Sequence, residues 1–188
     1  SIAGGTYNVG PGGDFTSITA AVNYWNSNCI DGAIVFNLTG TSYTNASGEI
    51  FPITINPNNP GSSLLIKPVG NASITGSSAT ALIVLNGVDR VTIDGSKDST
   101  PNTICPYSTA SRNLTITNTF NSTTNAVVWL QSNGSDGATN NTVKNCIVIG
   151  NANTRTLIGI GSGSSTVSTS SFGIGNHHNS IINNSIQK

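Results

Sequence analysis

The sequence predicts an all-β solenoid, a parallel β-helix entered by one α-helix, and three observations carry that prediction. First, an apolar residue, a spacer and then Gly or Asn recur at Ile93-Asp94-Gly95, Ile116-Thr117-Asn118, Val143-Lys144-Asn145 and Ile181-Ile182-Asn183. The intervals of 23, 27 and 38 residues are too long for hairpins and suit one circuit of a coil whose loops vary in length. Gly and Asn enter the left-handed backbone region most cheaply, so Gly95, Asn118, Asn145 and Asn183 are read as bend positions, one per circuit. Second, only 7% of the 188 residues are charged and 75 are Asn, Ser or Thr, while the 36% that are apolar cluster in β-branched runs such as Ala33-Ile34-Val35-Phe36. Such runs exclude disorder. Third, Asn86-Gly87, Asp94-Gly95, Asn133-Gly134 and Asp136-Gly137 offer tight turns but do not join alternating strands regularly, which argues against a sandwich of hairpins.

Residues 1–38 open the chain differently from the rest. A strand at Thr6-Tyr7-Asn8-Val9 meets the turn Gly10-Pro11-Gly12-Gly13-Asp14. Ile18, Ala21, Val22 and Trp25 then recur at i, i+3, i+4 and i+7, which predicts a helix over 16–27 with Thr16 or Asp14 as N-cap and Phe15 as a hydrophobic staple. Strands follow near 33–38, 50–55, 63–67, 72–75, 81–86, 90–94, 113–117, 126–131, 142–144, 146–149, 156–160 and 180–186. Residues 39–188 form the coils of one structural domain, and the expectation is that coils continue beyond Lys188. In a stack of this kind Ile, Val and Leu align in columns and Asn at the bends forms side-chain ladders that satisfy freed backbone groups. The long inserts 96–112 and 162–177 protrude from it, and protruding loops are where such folds place function.

The opening Thr6-Tyr7-Asn8-Val9-Gly10, the segment Gly13-Asp14-Phe15-Thr16-Ser17-Ile18-Thr19-Ala20-Ala21-Val22 and the later Gly40-Thr41-Ser42-Tyr43 resemble the start of pectin-lyase-like right-handed parallel β-helix proteins. Asn141-Thr142-Val143-Lys144-Asn145-Cys146-Ile147 and Asn179 to Ile186 are similar to their repeat units. The resemblance implies a right-handed, single-stranded coil in which the helix caps the first layer. In its Asn/Ser/Thr-rich character the chain is closest to β-helix regions of large secreted bacterial surface proteins, which implies a stalk or adhesin. The superfamily also holds lyases and hydrolases, so fold alone does not assign an activity.

Charge and motif content narrow the chemistry. Seven basic and seven acidic residues cancel, so no footprint for nucleic acid or an anionic membrane exists, and no apolar stretch is long enough for membrane insertion. Hydrolases of this fold need converging carboxylates, whereas the available ones are Asp14, Asp31, Glu49, Asp89, Asp94, Asp98 and Asp136. Around Asp89-Arg90, Asp94, Lys97 and Asp98 two readings stand. Asp94 and Asp98 ligate Ca²⁺, or the cluster is a self-neutralising strand end. No catalytic residue is assigned and no other cofactor is expected. His177-His178 lacks companion ligands, and Gly159-Ile160-Gly161-Ser162-Gly163 lacks the Lys and helix of a phosphate loop, so its glycines are read as relieving crowding at a bend. Trp129 and Tyr107 are the candidate carbohydrate contacts, Trp129 standing equally well as a core residue. Among the cysteines, Cys146 reads as a small buried hydrophobe and Cys29 and Cys105 as the better pair for a bridge.

The expected function is therefore a non-catalytic, extracellular, cell-surface β-helix module. It would act as a scaffold, adhesin or filament subunit, with polysaccharide or surface glycan as partner and end-to-end self-association as a further expectation. The alternative is a fragment of a polysaccharide lyase or glycoside hydrolase.

Overall fold

A computed structural model describes residues 1–98 and 111–188. Its strands, in chain order, are β1 (Ile2–Val9), β2 (Ile30–Leu38), β3 (Ser42–Tyr43), β4 (Ile53–Ile55), β5 (Ser63–Pro68), β6 (Ala72–Gly76), β7 (Ala81–Asn86) and β8 (Val91–Asp94). They continue as β9 (Leu114–Asn118), β10 (Ala126–Gln131), β11 (Thr142–Lys144), β12 (Cys146–Ile149), β13 (Ile158–Gly163), β14 (Ser180–Ile182) and β15 (Ser185–Gln187). One α-helix, α1 (Ile18–Ser27), separates β1 from β2. The strands form three sheets that visit one another in rotation: sheet A runs β1-β2-β5-β8-β11-β14, sheet B β3-β6-β9-β12-β15 and sheet C β4-β7-β10-β13. Every pairing between these strands is parallel. Three parallel sheets visited in order, once per circuit, make a parallel β-helix.

Register explains the stability of the stack. In sheet A the column Tyr7, Phe36, Ile66, Ile93, Val143, Ile181 runs through six strands. In sheet B the inward column is Tyr43, Ile74, Ile116, Val148, Ile186, and in sheet C it is Ile53, Ile83, Val128, Ile160. One apolar cluster extends along the interior from Val9 to Val148. A one-residue slip in any strand would turn its column toward solvent, so the core itself fixes the register. At the last coil the column residues Ile181 and Ile186 are half exposed.

The helix is two residues shorter at its start than its apolar spacing predicts. Its N-cap is Ser17, whose hydroxyl accepts a hydrogen bond from the Ala20 amide at 3.1 Å. Asp14 instead accepts from the Asn8 amide at 2.7 Å and ties the preceding turn to β1. Ile18, Ala21, Val22 and Trp25 are all buried as their spacing requires, and Phe15 joins Tyr7, Tyr24 and Phe36 in a ring cluster with centroids 5.3–6.3 Å apart. The start of α1 has a partner that local sequence does not announce. Glu49 accepts from the Ile18 amide at 2.7 Å and the Thr19 amide at 2.8 Å, placing a buried carboxylate against the positive end of the helix. Along its side, Asn26 donates to the Thr54 carbonyl and accepts from the Asn56 amide, so α1 lies against the edge of sheet C at β4.

The four predicted bend positions do three different jobs. Asn145 and Asn183 are left-handed, with φ of 57° and 52°, and their amides form a ladder: Asn183 Nδ2 donates to Asn145 Oδ1 and Asn145 Nδ2 to Asp94 Oδ1, each at 2.8 Å. Gly95 has no positive φ. A Cβ there would lie 2.1 Å from the Asn145 carbonyl oxygen, so glycine is required by the close approach of the next coil. Asn118 is fully buried with ordinary backbone geometry, and its amide bonds the Ser78 and Ala126 carbonyls and the Ser78 and Phe120 amides. A second ladder stands at the corner between sheets C and A, where Asn141 and Asn179 each bridge backbone groups of neighbouring coils. The stretch drawn as one strand over 180–186 is broken into β14 and β15 because the left-handed Asn183 turns the chain between them. The strand expected at 50–55 begins only at Ile53, after Pro52, and β13 extends to Gly163.

Candidate functional site

The outward faces of sheets A and C carry the chemistry, and they differ. On sheet A, Asp94 and Lys144 are register partners on adjacent strands, with Nζ 3.4 Å from Oδ2 and both side chains 6% exposed. Asp94 Oδ1 also accepts from the Ser96 amide at 3.0 Å. Around them a hollow of about 370 Å³ is lined by Val35, Leu65, Lys67, Arg90, Asp94 and Lys144 among others. The guanidinium of Arg90 is committed to the backbone, Nε donating to the Ser62 carbonyl at 2.9 Å and Nη2 to that of Pro60. Asp98 stands apart at the surface, paired with its neighbour Lys97 at 3.0 Å; that hydrogen bond is the main reason its carboxyl titrates below the usual range. A calcium ion at Asp94 would have to displace Lys144, and Asp98 is already neutralised locally. Among the described residues no group of three or more His, Cys, Asp or Glu side chains is placed to hold a metal ion.

Three further carboxylates are also structural. Asp89 accepts from the Thr139 amide at 3.0 Å and from its hydroxyl, joining two coils, while Glu49 and Asp14 serve the helix and the first turn. Cys146 is buried beside Asp94, and burial pushes its thiol up to about 12, which leaves it inert at neutral pH. Cys29 is an exposed thiol, and Cys105, its expected partner, lies outside the described residues. His177 and His178 are exposed, with their Nδ1 atoms 2.7 Å apart.

On sheet C, Trp129 points outward, as its alternation with Val128 and Leu130 allows, yet it is only 1% exposed. The chain that follows β13 folds over it: Nε1 donates to the Ser164 carbonyl at 2.8 Å, and Ala81, Val84, Ala126, Ile158 and Val167 surround the ring in a small second core outside the coil. Neither ring face is open to a sugar. Its burial accounts for two glycines of the 159–163 stretch, because a Cβ at Gly161 would lie 2.8 Å, and one at Gly163 2.5 Å, from the indole, whereas one at Gly159 would lie 2.6 Å from the Ile186 side chain. They relieve crowding under a side chain rather than at a bend. Tyr107, the other expected sugar contact, lies outside the described residues.

Beside the covered Trp129 a groove of about 390 Å³ opens on the same face. Three coils contribute to it: Asn86 and Gln131 from β7 and β10, Ser132, Asn133 and Gly134 from the turn after β10, and Ser164, Ser165, Phe172, Gly173 and Ile174 from the segment after β13. No lining residue is ionisable. Asn86 and Gln131 belong to an amide ladder on the coil surface, Gln131 Nε2 donating to Asn86 Oδ1 at 2.8 Å and Asn86 Nδ2 to Asn56 Oδ1 at 2.9 Å. Phe172 is 81% exposed and Ile174 66%. Sequence reasoning missed this groove because its members are scattered over ninety residues, and the sole local signal was an aromatic within a Ser- and Gly-rich insert.

Over residues 3–188 the sequence matches the family described as Protein of unknown function (DUF1565). The chain belongs to this family. DUF1565 is commonly associated with β-helix proteins, which accords with the parallel stacking. No curated protein and no solved structure matches the chain.

Proposed function

We propose that this DUF1565 chain is a non-catalytic, extracellular β-helix module that serves as a scaffold or adhesin, displaying a ligand groove on a rigid, nearly uncharged coil. The observation that carries this reading is that four of the seven acidic side chains are held by partners within the protein. Asp94 is paired with Lys144, Asp98 with Lys97, Glu49 with the start of α1 and Asp89 with Thr139. Glycoside hydrolysis needs two carboxyl groups free to act on one bond, and a lyase needs a base reaching its sugar.

In the same reading the coil is right-handed, the hand that parallel strand crossovers overwhelmingly take. We assign α1 the role of cap, supported by its hydrogen bonds to β4 and by the ring cluster over the first layer.

The test is incubation of the purified protein with pectin, alginate and neutral plant and microbial polysaccharides, followed by a reducing-end assay and absorbance at the wavelength of unsaturated uronates. The module reading expects no product above buffer. Release of oligosaccharides that disappears with Asp94→Ala or Lys144→Ala would replace it with an enzyme acting at sheet A.

A further inference from the structure

Resting on the module reading, we propose that the groove between Gln131, Asn133 and Phe172 is a binding site for an uncharged glycan, with Phe172 as the stacking platform and the sheet C amides as its hydrogen-bonding wall.

The inference starts from a cost. A large apolar side chain gains about 1.5–3 kcal/mol from full burial, so an exposed one in a well-packed chain is informative when it sits with others beside a cavity. Phe172 and Ile174 are the two most exposed large apolar side chains of sheet C's covering segment, and both line the groove. Their backbone is fixed. Gly173 sits so close to β13 that a Cβ would lie 2.2 Å from the Gly163 carbonyl oxygen. Asn176 Nδ2 donates to that same carbonyl at 2.8 Å, and the Ile174 amide donates to Ser132 Oγ at 3.2 Å. The exposed ring is therefore held on a rigid base, which lowers the ordering cost of binding.

The polar side of the groove fits a sugar rather than an apolar or charged ligand. Gln131 uses one amide hydrogen on Asn86 and retains its carbonyl oxygen; Asn133 stands exposed at the base of the turn that its backbone closes with Asp136. Amide groups both donate and accept, which matches hydroxyls that do the same. Because the ladder repeats with the coil, its amides are spaced about 4.8 Å apart along the axis, as adjacent strands are. A sugar presents an apolar face of C–H groups for an aromatic ring and a rim of hydroxyls for amides. The volume of about 390 Å³ falls near the lower end of small-molecule sites, suiting a short stretch of chain. The absence of any ionisable lining residue selects against uronates and sulfated sugars, since an anion would enter without a counter-charge.

The experiment is a binding screen on immobilised oligosaccharides, using neutral gluco-, manno- and xylo-oligosaccharides beside oligogalacturonate and oligoalginate, with titration calorimetry on the best binder. The expected result is retention of at least one neutral class that survives high salt, weakened roughly tenfold by Phe172→Ala, equivalent to about 1.4 kcal/mol, and restored by Phe172→Trp. Melting temperatures of both variants should equal that of the parent, because the ring is exposed. Binding to none of the neutral classes, neutral binding indifferent to Phe172→Ala, or salt-sensitive binding of uronates alone would each overturn the proposal. None of those outcomes touches the reading of a non-catalytic module, which falls only if a polysaccharide is cleaved.

Discussion

Two hollows of nearly equal size flank this coil, about 370 Å³ on sheet A and about 390 Å³ on sheet C, and their linings are opposites. The first gathers Lys67, Arg90, Asp94 and Lys144; the second contains no ionisable residue and exposes Phe172. Charge alone would point to sheet A as the functional face. Asp94 is instead committed to Lys144 and the Arg90 guanidinium to backbone carbonyls, whereas the uncharged groove leaves the Phe172 ring open to solvent. In a chain with so few charges, Asp94, Lys144 and Arg90 serve the stack itself, and the proposed recognition falls to neutral residues.

The largest effect that would break this comparison is expected at Trp129, which supports sheet C from outside. Trp129→Ala should cost about 4 kcal/mol through loss of its packing and leave the segment that follows β13 without its anchor. Chemical denaturation would give the energy, and limited proteolysis should show new cleavage between Ser164 and Phe172. Next comes sheet A. Lys144→Ala should cost about 3 kcal/mol by stranding the buried Asp94 carboxylate, while the double change Asp94→Leu with Lys144→Met should recover most of that stability. Glycan binding should be unchanged in the double variant; a loss would place the ligand on sheet A. Smaller again is the bend. Asn145→Ala should cost about 1–2 kcal/mol because its left-handed φ of 57° and its ladder bonds are both sacrificed, with Asn145→Gly milder since glycine keeps the conformation. The smallest is a contrast of thiols: peptide mapping after iodoacetamide treatment at pH 8 should find Cys29 modified and Cys146 untouched in the native protein, because a thiol raised to about 12 stays protonated there.

Much of the fold was legible because its causes are local and periodic. The spacing of Ile18, Ala21, Val22 and Trp25 marked the helix, and apolar-x-Gly/Asn marked the corners. That signal hid three mechanisms, since Gly95 is demanded by a neighbouring coil, Asn118 by buried hydrogen bonds and only Asn145 and Asn183 by left-handed geometry. Glu49 was invisible as a helix partner because its bonds to α1 span thirty residues, and no local motif encodes them. For Trp129 the sequence left an outward sugar contact and a core residue equally open, and could not show that the ring is outward and yet covered, because burial depended on Val167 and Ser164 from the next coil. The groove was the least legible feature, being assembled from three coils that only the register brings together.

The most direct test of the account is to follow one neutral oligosaccharide with the parent protein and with Phe172→Ala, measuring bound and cleaved sugar in the same sample. The account predicts saturable binding by the parent, roughly tenfold weaker binding by the variant, and no new reducing ends from either. Cleavage of the sugar, or equal binding by both proteins, would contradict it.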